Sequence, residues 1–203
     1  MAAAGEDASE VPADLQPLVK FIKAGQKLEV ASALKEIVND SSDVNARLRA
    51  LWALHLTASI TPDDAARWVQ DQDELVRAWT VQTFFENAAV LFLVPQLEQL
   101  ADNGAQALAR LAGSDPSPVV RRFVASAAQR VPVDRRWEIV SELGGRKEDA
   151  KDHNLPLLYW YATEGCVASD QERAVALLKS CRIPKLRQFI ARRLATASLT
   201  AGQ

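Results

Sequence analysis

The acidic side chains of this sequence are its first candidates for chemistry. Paired carboxylates, which can serve as general acid and general base, occur at Asp63-Asp64 and at Asp71 and Asp73. Both pairs stand where helices are expected to begin, and acidic residues favour that position because they complement the helix dipole. The pairs therefore give no indication of catalysis.

The histidines and cysteines also lack a catalytic arrangement. His55 and His153 lie far apart, and Cys166 and Cys181 form no CxxC pattern. The sequence contains no zinc, thioredoxin or haem-attachment motif, no glycine-rich phosphate loop and no nucleophile elbow. We therefore expect no cofactor, no metal and no enzymatic activity. The cysteines form a disulfide in an oxidising compartment or are two small buried residues, and the second interpretation is favoured.

One polar segment, Asp152-His153-Asn154, precedes an apolar stretch that includes the aromatic run 159–161. One interpretation places His153 and Asn154 at a helix entrance, facing a partner or ligand. The other makes Asp152 or Asn154 a helix cap, with the aromatic residues in the core. The capping interpretation is favoured, but the segment remains a candidate interaction site.

Charge is divided unevenly along the chain. Residues 1–115 hold 9 Lys and Arg against 17 Asp and Glu, and residues 116–203 hold 15 Lys and Arg against 9 Asp and Glu. The net charges of the two segments are therefore −8 and +6, which add to the total of −2. A basic surface for nucleic acid or an acidic partner is one interpretation, with Arg122, Arg192 and Arg193 as candidates. Solvated helix faces are the favoured alternative, and a pI near 5.8 argues against nucleic acid.

The elements that position these residues are predicted to be helices. Apolar residues return every three or four positions, and no segment alternates with period two. Clusters of Asp, Thr and Pro predict helix starts, while Gly25, Gly113 and Gly144-Gly145 predict helix ends. The sequence predicts an all-α protein of about a dozen helices, with these spans: 14–24, 28–39, 44–58, 62–70, 73–87, 90–101, 105–112, 117–130, 133–143, 154–165, 169–181 and 184–198.

Length and composition predict a single folded domain. The chain has 203 residues, of which 48% are hydrophobic, so it can bury a core without disulfides or metals. Its longest apolar run, 88–95, is too short to cross a bilayer, and its first residues do not resemble a secretory signal. We expect an acidic flexible tail over 1–13, a helical domain over 14–198 and a C-terminal tail over 199–203.

One pattern recurs within the helices. Each copy has an aliphatic residue, an arginine anchor, a large apolar residue two positions later and a smaller residue four positions later. Three anchors follow an aspartate by six positions, at the expected N-cap or first turn. A fifth copy fits around Leu158, which replaces the arginine and follows Asp152 by six positions. Trp52, Trp79 and Trp160 fall at core positions of three different copies. The anchors are Arg49 with Asp43, Arg77 with Asp71, Arg121 with Asp115, and Arg187, which has Cys181 in place of the aspartate.

Helical hairpins whose second helix reads Asp-x-x-x-x-(Val/Leu)-Arg resemble HEAT repeats. The resemblance implies a right-handed α-solenoid of helical hairpins. It also implies that the anchors and aspartates given above form a hydrogen-bonded ladder between successive repeats. The ladder should be broken toward the C-terminus, where Leu158 and Cys181 depart from the pattern.

A narrower resemblance covers most of residues 44–197. Phrases such as Asp-Pro-Ser-Pro-Val-Val-Arg and Asp-His-Asn-Leu-Pro-Leu-Leu-Tyr-Trp-Tyr are similar to the HEAT region of large planctomycete-type membrane-bound dehydrogenase proteins. Those proteins have an upstream β-propeller and a downstream c-type cytochrome domain. The resemblance implies a non-catalytic scaffold or protein-interaction module that spaces or docks these neighbours. A fragment of such a protein would be periplasmic, and a complete chain of this length would be cytoplasmic.

A second hypothesis is a DNA-binding enzyme. HEAT-like alkylpurine DNA glycosylases use a basic concave face with aromatic residues and an acid. The basic C-terminal half and the tryptophans favour this hypothesis. The low pI and the predicted core positions of the tryptophans oppose it.

Overall fold

The computed structural model of the chain describes residues 24–86 and 97–200. These ranges contain ten α-helices, one short 3-10 helix and no strand, which confirms the all-α prediction. The predicted helix 14–24 lies outside the described residues except for its last residue, as do the predicted tail 1–13 and residues 201–203. The α-helices are α1 (Ala24–Asp40), α2 (Val44–Leu56), α3 (Pro62–Trp68), α4 (Glu74–Phe85), α5 (Glu98–Ser114), α6 (Pro118–Ala128), α7 (Val133–Gly144), α8 (Leu155–Ser169), α9 (Gln171–Ser180) and α10 (Pro184–Thr200), with the 3-10 helix Lys147–Lys151 between α7 and α8.

The helices belong to two compact units, Met1–Ser59 and Ile60–Gln203. In the first unit α1 packs against α2. The Arg47 Nε on α2 donates a hydrogen bond of 2.6 Å to the carbonyl of Val38 on α1, which joins the two helices. Leu51 and Leu54 of α2 are fully buried.

The second unit contains α3 to α10, which pack in two series. In one series α4 packs against α6, α6 against α8 and α8 against α10. In the other, α5 packs against α7 and α7 against α9. A cluster of buried apolar residues runs through helices of both series, and its members include Val81, Leu108, Val124, Leu143 and Ile190.

Several of these helices begin at the predicted residues, where a side chain caps the N-terminus. Thr61 and Asp64 form a reciprocal capping box, in which each side chain accepts the backbone N–H of the other residue, at 3.2 and 2.9 Å. The Ser117 hydroxyl accepts the N–H of Val119 at 3.1 Å, and Pro118 occupies the first turn of α6. These groups satisfy amide donors that the helix itself leaves free.

The prediction of separate helices over 90–101 and 105–112 was wrong for the part that the structure describes. A single helix, Glu98–Ser114, passes through Gly104 without a break. Gly104 is buried, and a β-carbon there would lie 3.2 Å from Cζ of Phe85 on α4. The glycine therefore allows α4 and α5 to approach closely instead of ending a helix.

Two of the glycines that were predicted to follow helix ends lie within described helices. Gly25 stands in the first turn of α1, and Gly113 stands in the last turn of α5. At Gly113 the Glu142 side chain of α7 occupies the space that a β-carbon would need. Gly144 and Gly145 do coincide with the end of α7, and Gly145 has an ordinary negative φ of −75°.

Candidate functional site

Two arginine–aspartate pairs connect successive helices of the α4–α6–α8 series. In the first pair, Nε and Nη2 of Arg77 on α4 donate to the two carboxylate oxygens of Asp115, at 2.8 and 3.0 Å. The third guanidinium nitrogen, Nη1, donates to the backbone carbonyls of Asp71 and Gln72 at 2.8 and 3.1 Å. Arg77 therefore joins the loop before its own helix to the loop before the next helix of the series.

The second pair repeats this geometry one helix further along. Nε and Nη2 of Arg121 on α6 donate to the carboxylate of Asp149, at 2.6 and 2.5 Å. Nη1 of Arg121 donates to the backbone carbonyl of Asp115 at 2.8 Å. The Tyr159 hydroxyl of α8 donates to the same Asp149 carboxylate at 2.6 Å, so one buried acid accepts hydrogen bonds from α6 and α8.

The surroundings of these pairs raise the pKa of both arginines and of Tyr159. Burial opposes the charge of Arg121, but the hydrogen bonds and charge of Asp149 outweigh it and raise the Arg121 pKa. The hydrogen bond from Arg77 to Asp115 likewise raises the pKa of Arg77. Burial, together with Asp149, raises the pKa of Tyr159 above its ordinary value. Charge-assisted hydrogen bonds of this kind are suited to holding helices together.

The sequence pattern placed the ladder aspartates incorrectly in relation to the helix caps. Asp71 and Asp115 were expected at the N-cap or first turn, but each lies two residues before the N-cap. Their carboxylates accept the N–H of the capping residues Asp73 and Ser117, each at 2.9 Å. The helix cap and the ladder carboxylate are therefore two different side chains, such as Ser117 and Asp115. This division leaves the Asp115 carboxylate able to reach Arg77.

Asp149 is a ladder residue that sequence reasoning missed. The pattern pointed to Asp152 instead, because it assigned a fifth copy to Leu158. The buried residues of α8 include Leu155, Tyr159 and Ala162, while Tyr161 is 48% exposed. The predicted register is kept at the helix start, because Asp152 accepts the N–H of Asn154 as Asp115 accepts that of Ser117. The buried Asp149 lies on the 3-10 helix between α7 and α8, before Asp152. The repeat pattern contains no signal for an aspartate at this position.

Within the described ranges, Asp43, Arg49 and Arg187 form no arginine–aspartate pair of this kind. Asp43 caps α2 by accepting the N–H of Asn45 at 2.9 Å. Arg49 is exposed on α2, which belongs to the first unit. Arg187 is exposed on α10, and no side-chain hydrogen bond or ion pair joins it to another residue in the described ranges. The ladder described by the structure thus ends at Asp149 and Tyr159.

Two further arginines that the pattern did not single out bind helix ends. The buried Arg136 on α7 donates to the carbonyls of Val131, Gln129 and Ala162, at distances from 2.6 to 3.1 Å. Burial lowers the pKa of Arg136. Arg146 donates to the carbonyl of Ala112 near the end of α5, at 2.7 Å. Both arginines satisfy carbonyls and complement helix dipoles, and so they hold helices in place.

The candidate interaction residues fall into two groups. Asp152, His153 and Asn154 are exposed before α8, and Arg122 is exposed on α6. Asp152 accepts the N–H groups of Asn154 and Leu155, both at 2.8 Å. These backbone bonds first, and then the charges of His153 and Arg122, lower the pKa of Asp152. Asp152 therefore performs the capping function of the favoured interpretation, while its neighbours remain accessible.

The second group lies on α10. Arg192 is exposed, and Arg193 is half-buried. The Nε atom of Arg193 is buried and has no hydrogen-bond partner in the part of the chain that the structure describes. A buried donor without a partner is uncommon in native proteins and calls for an explanation.

The tryptophans differ in burial from the prediction. Trp68 and Trp137 are buried, with exposed fractions of 1% and 7%. Trp52 was expected in the core but is 38% exposed. Trp79 and Trp160 are half-buried, and each pairs with the half-buried phenylalanine of the next helix in its series. The ring centroids lie 5.6 Å apart for Trp79 and Phe123, and 5.5 Å apart for Trp160 and Phe189.

Both cysteines are free and buried. Burial raises the pKa of each thiol, which keeps both in the unreactive protonated form. The structure therefore favours the interpretation of Cys166 and Cys181 as small buried residues.

A groove of about 750 Å³ lies between α3, α4 and α5. Its apolar side includes Val69, Phe84 and Leu111, and its polar side includes Arg77 and Asp115. Those two charged groups already bind each other in the ladder, so they offer few free hydrogen-bonding positions to a ligand.

Within 24–86 and 97–200, no group of three or more His, Cys, Asp or Glu side chains could hold a metal ion. No helix in these ranges is both long enough and apolar enough to cross a membrane. In comparisons with known proteins, no family model, no curated protein and no solved structure matches the chain.

Proposed function

We propose that the chain is a HEAT-like α-solenoid that binds other proteins and catalyses no reaction itself. The packing of α4, α6, α8 and α10 in one series, and of α5, α7 and α9 in another, supports this proposal. Stacked helical hairpins pack in such series, and they offer extended surfaces suited to protein recognition.

The recurring arginine pair is the observation that carries the proposal. Arg77 and Arg121 each bind a carbonyl before their own helix and a carboxylate before the next helix of the series. The same bond pattern at the same place in consecutive helices is expected of a repeated structural unit. Since these charged groups are consumed in holding the helices together, they support a scaffold better than an active site.

The proposal extends to a larger polypeptide. We propose that this chain is the HEAT-like part of an exported dehydrogenase–cytochrome protein, where it would space or dock a β-propeller and a cytochrome domain. Electron transfer would then belong to those neighbours. The support is the likeness of the phrases within 44–197 described above.

The genomic locus and a binding measurement test this proposal together. In-frame coding sequence for a propeller upstream and a CxxCH domain downstream is the expected result. The two neighbouring domains, produced separately, should then bind the chain in isothermal titration calorimetry. Deleting the chain from the full polypeptide should slow electron transfer between them. Stop codons on both sides, or no association together with unchanged electron transfer, would contradict the proposed role.

The alternative is a DNA-binding enzyme of the alkylpurine glycosylase type. The observation in its favour is the excess of basic residues on α6 and α10, near the half-buried rings of Phe123 and Phe189. Fluorescence anisotropy with labelled duplex DNA at low salt tests it. Binding weaker than about 100 μM would exclude this alternative, because even non-specific DNA binders reach that range at physiological salt.

A further inference from the structure

We infer that helices α6, α8 and α10 form a docking surface for an acidic peptide segment that also carries aromatic or aliphatic side chains. This inference rests on the proposed protein-binding function and specifies the partner. We call these three helices the basic row.

Charge is the first argument for the basic row. Its helices carry six Lys and Arg residues against one acid, Glu164. The helices α5, α7 and α9 carry five Lys and Arg against six Asp and Glu, so the excess positive charge belongs to one series only. Of the six cations, Arg121 is buried and neutralised by Asp149. Arg193 is half-buried, and the other four are exposed: Arg122, Lys185, Arg187 and Arg192.

Apolar surface lies between these charges. Trp160 on α8 and Phe189 on α10 contact each other and are both half-buried. Arg192 and Arg193 follow Phe189 by three and four positions, so they lie on the same side of α10 as the ring. On α6 the guanidinium of Arg122 lies 5.4 Å from the centroid of the Phe123 ring. Cations beside partly exposed rings suit a partner with both carboxylates and apolar side chains.

Arg193 supplies an independent observation. Its buried Nε has no hydrogen-bond partner within the described ranges, although burial removes this donor from water. If the Arg193 side chain turns outward when a carboxylate binds beside Phe189, this N–H would donate a charge-assisted hydrogen bond to it. Aspartate or glutamate in a partner segment therefore completes a group that the described part of the chain leaves unsatisfied.

The observations favour an acidic peptide over nucleic acid. Trp160 and Phe189 pack against each other at an interplanar angle of 37°, so each ring is partly covered by the other and offers little free face for a stacked base. Glu164 lies one turn after Trp160 on α8 and is exposed, so it would repel a continuous phosphate backbone. A peptide can place its carboxylates selectively, near Arg192 and Arg193 and away from Glu164.

Binding of fluorescent polymers to the full chain tests the inference. The probes are a random glutamate–tyrosine copolymer, polyglutamate of equal length and single-stranded oligothymidylate of equal charge. Anisotropy is measured at low and at physiological ionic strength. We expect the copolymer to bind about tenfold more tightly than polyglutamate, because burial of apolar side chains adds to the charge attraction. Equal binding of the two peptides, or tightest binding of the oligothymidylate, would overturn the inference.

Variants locate the binding to the basic row. Arg122→Glu combined with Arg192→Glu changes two exposed side chains and should weaken copolymer binding at least tenfold. Arg110→Glu on α5 combined with Lys179→Glu on α9 is the matched control, since both residues are also exposed and neither joins an ion pair in the described ranges. It should change binding less than twofold. Equal weakening by the control would show that only overall charge matters and would refute the assigned surface.

Arg193→Lys tests the unsatisfied donor separately. This change keeps the positive charge but removes the Nε donor, and it should weaken copolymer binding about tenfold, as expected for a charge-assisted hydrogen bond. Far-ultraviolet circular dichroism and the thermal unfolding midpoint verify that each variant is folded. Unchanged binding by folded Arg193→Lys would remove this contact from the inference.

The outcomes distinguish this inference from the proposed function. If the wild-type chain binds neither peptide polymer but associates with the propeller or cytochrome domain, the acidic-segment surface is wrong and the scaffold proposal stands. If it binds the copolymer through the basic row but associates with neither domain, the surface stands and the proposed partners are wrong.

Discussion

The two arginine–aspartate pairs of the second unit share their bonds but differ in their surroundings. The Arg77 side chain is 12% exposed and that of Asp115 is 3% exposed, whereas the values for Arg121 and Asp149 are 2% and 4%. The additional donor to Asp115 is the backbone N–H of Ser117, and the additional donor to Asp149 is the Tyr159 phenol. The comparison teaches that one repeated pair can occupy the edge of the core at one point and its interior at the next.

The difference matters because water can replace a lost partner only at the more exposed pair. A surface ion pair contributes about 0–1 kcal/mol, while removing one member of a buried pair costs about 3–5 kcal/mol because the other charge stays buried and unpaired. The following variants break or sharpen this comparison.

The largest effect is expected for Arg121→Leu. This change leaves the Asp149 carboxylate buried with only the Tyr159 hydroxyl as donor, and it should lower the free energy of unfolding by about 3–5 kcal/mol. Urea denaturation followed by circular dichroism measures the loss. The neighbouring exposed Arg122→Leu is the control and should change stability by less than about 0.5 kcal/mol. A loss below about 1 kcal/mol for Arg121→Leu would contradict the structural importance of the pair.

A smaller effect is expected for Arg77→Leu. Water can reach the Asp115 carboxylate more readily, and Ser117 still donates its N–H, so the loss should be about 2 kcal/mol, between the surface and buried values. The same urea measurement applies. If Arg77→Leu and Arg121→Leu destabilise the chain equally, burial is not what separates the two pairs.

Tyr159→Phe tests the phenol that only the inner pair has. It removes one hydrogen bond while Arg121 still binds Asp149, so the loss should be about 1 kcal/mol. Tyr161→Phe on the same helix is the matched control, because Tyr161 is 48% exposed and should tolerate the change. A larger loss for the control than for Tyr159→Phe would contradict the hydrogen bond.

The same phenol predicts a pH dependence with a definite sign. The folded-state pKa of Tyr159 is raised, so its contribution to stability is complete below the unfolded-state pKa of about 10 and is lost as the pH rises through the folded-state pKa. Stability of the wild-type chain should therefore fall more steeply above about pH 10 than that of Tyr159→Phe. Urea midpoints at increasing pH measure both slopes, and parallel slopes would refute the prediction.

The smallest effect is expected at Asp152, the exposed aspartate that was assigned to the fifth copy of the pattern. Asp152→Ala removes the acceptor for two backbone N–H groups and should cost about 0.5 kcal/mol, near the lower end of the range for helix caps. Asp152→Asn keeps a side-chain oxygen and serves as the control, with most of the stability retained. A loss as large as that of Arg121→Leu would mean that Asp152, and not Asp149, supports the fold.

The Asp152 contribution also depends on pH, with the opposite sign to that of Tyr159. Because its folded-state pKa is lowered, the contribution is present above the unfolded-state pKa of about 3.9 and is lost as the pH falls through the folded-state value. The stability difference between wild type and Asp152→Ala should accordingly shrink in acid. A difference that persists at the lowest pH would show that the carboxylate charge has no part in it.

Much of the helical pattern could be predicted because it depends on neighbouring residues. Thr61 with Asp64, and Ser117 with Pro118, start helices through bonds made within three residues, and such signals are visible in the chain itself. The glycines were less predictable. Gly104 lies between two helices that were predicted to be separate, but it is inside one helix, and Phe85 of a different helix packs where its side chain would be.

The repeat pattern identified both arginines of the ladder but only one of the two aspartates that bind them. The position of each arginine depends on its own helix, whereas the position of its aspartate depends on the chain between two helices. Arg77 and Arg121 hold a fixed register within their helices. Asp115 and Asp149 lie 38 and 28 residues after them, and this separation depends on the length of the intervening hairpin. A pattern with a constant offset of six residues could not find Asp149.

The sequence by itself determined the all-α class, the start of most helices and the repeated arginines, because these depend on local periodicity and on hydrogen bonds between near neighbours. Only the tertiary structure decided which acid pairs with Arg121, which glycines admit a neighbouring helix, and which tryptophans are half-exposed. Those features depend on the distance between helices that are far apart in the chain. Packing fixes that distance, and local sequence does not encode it.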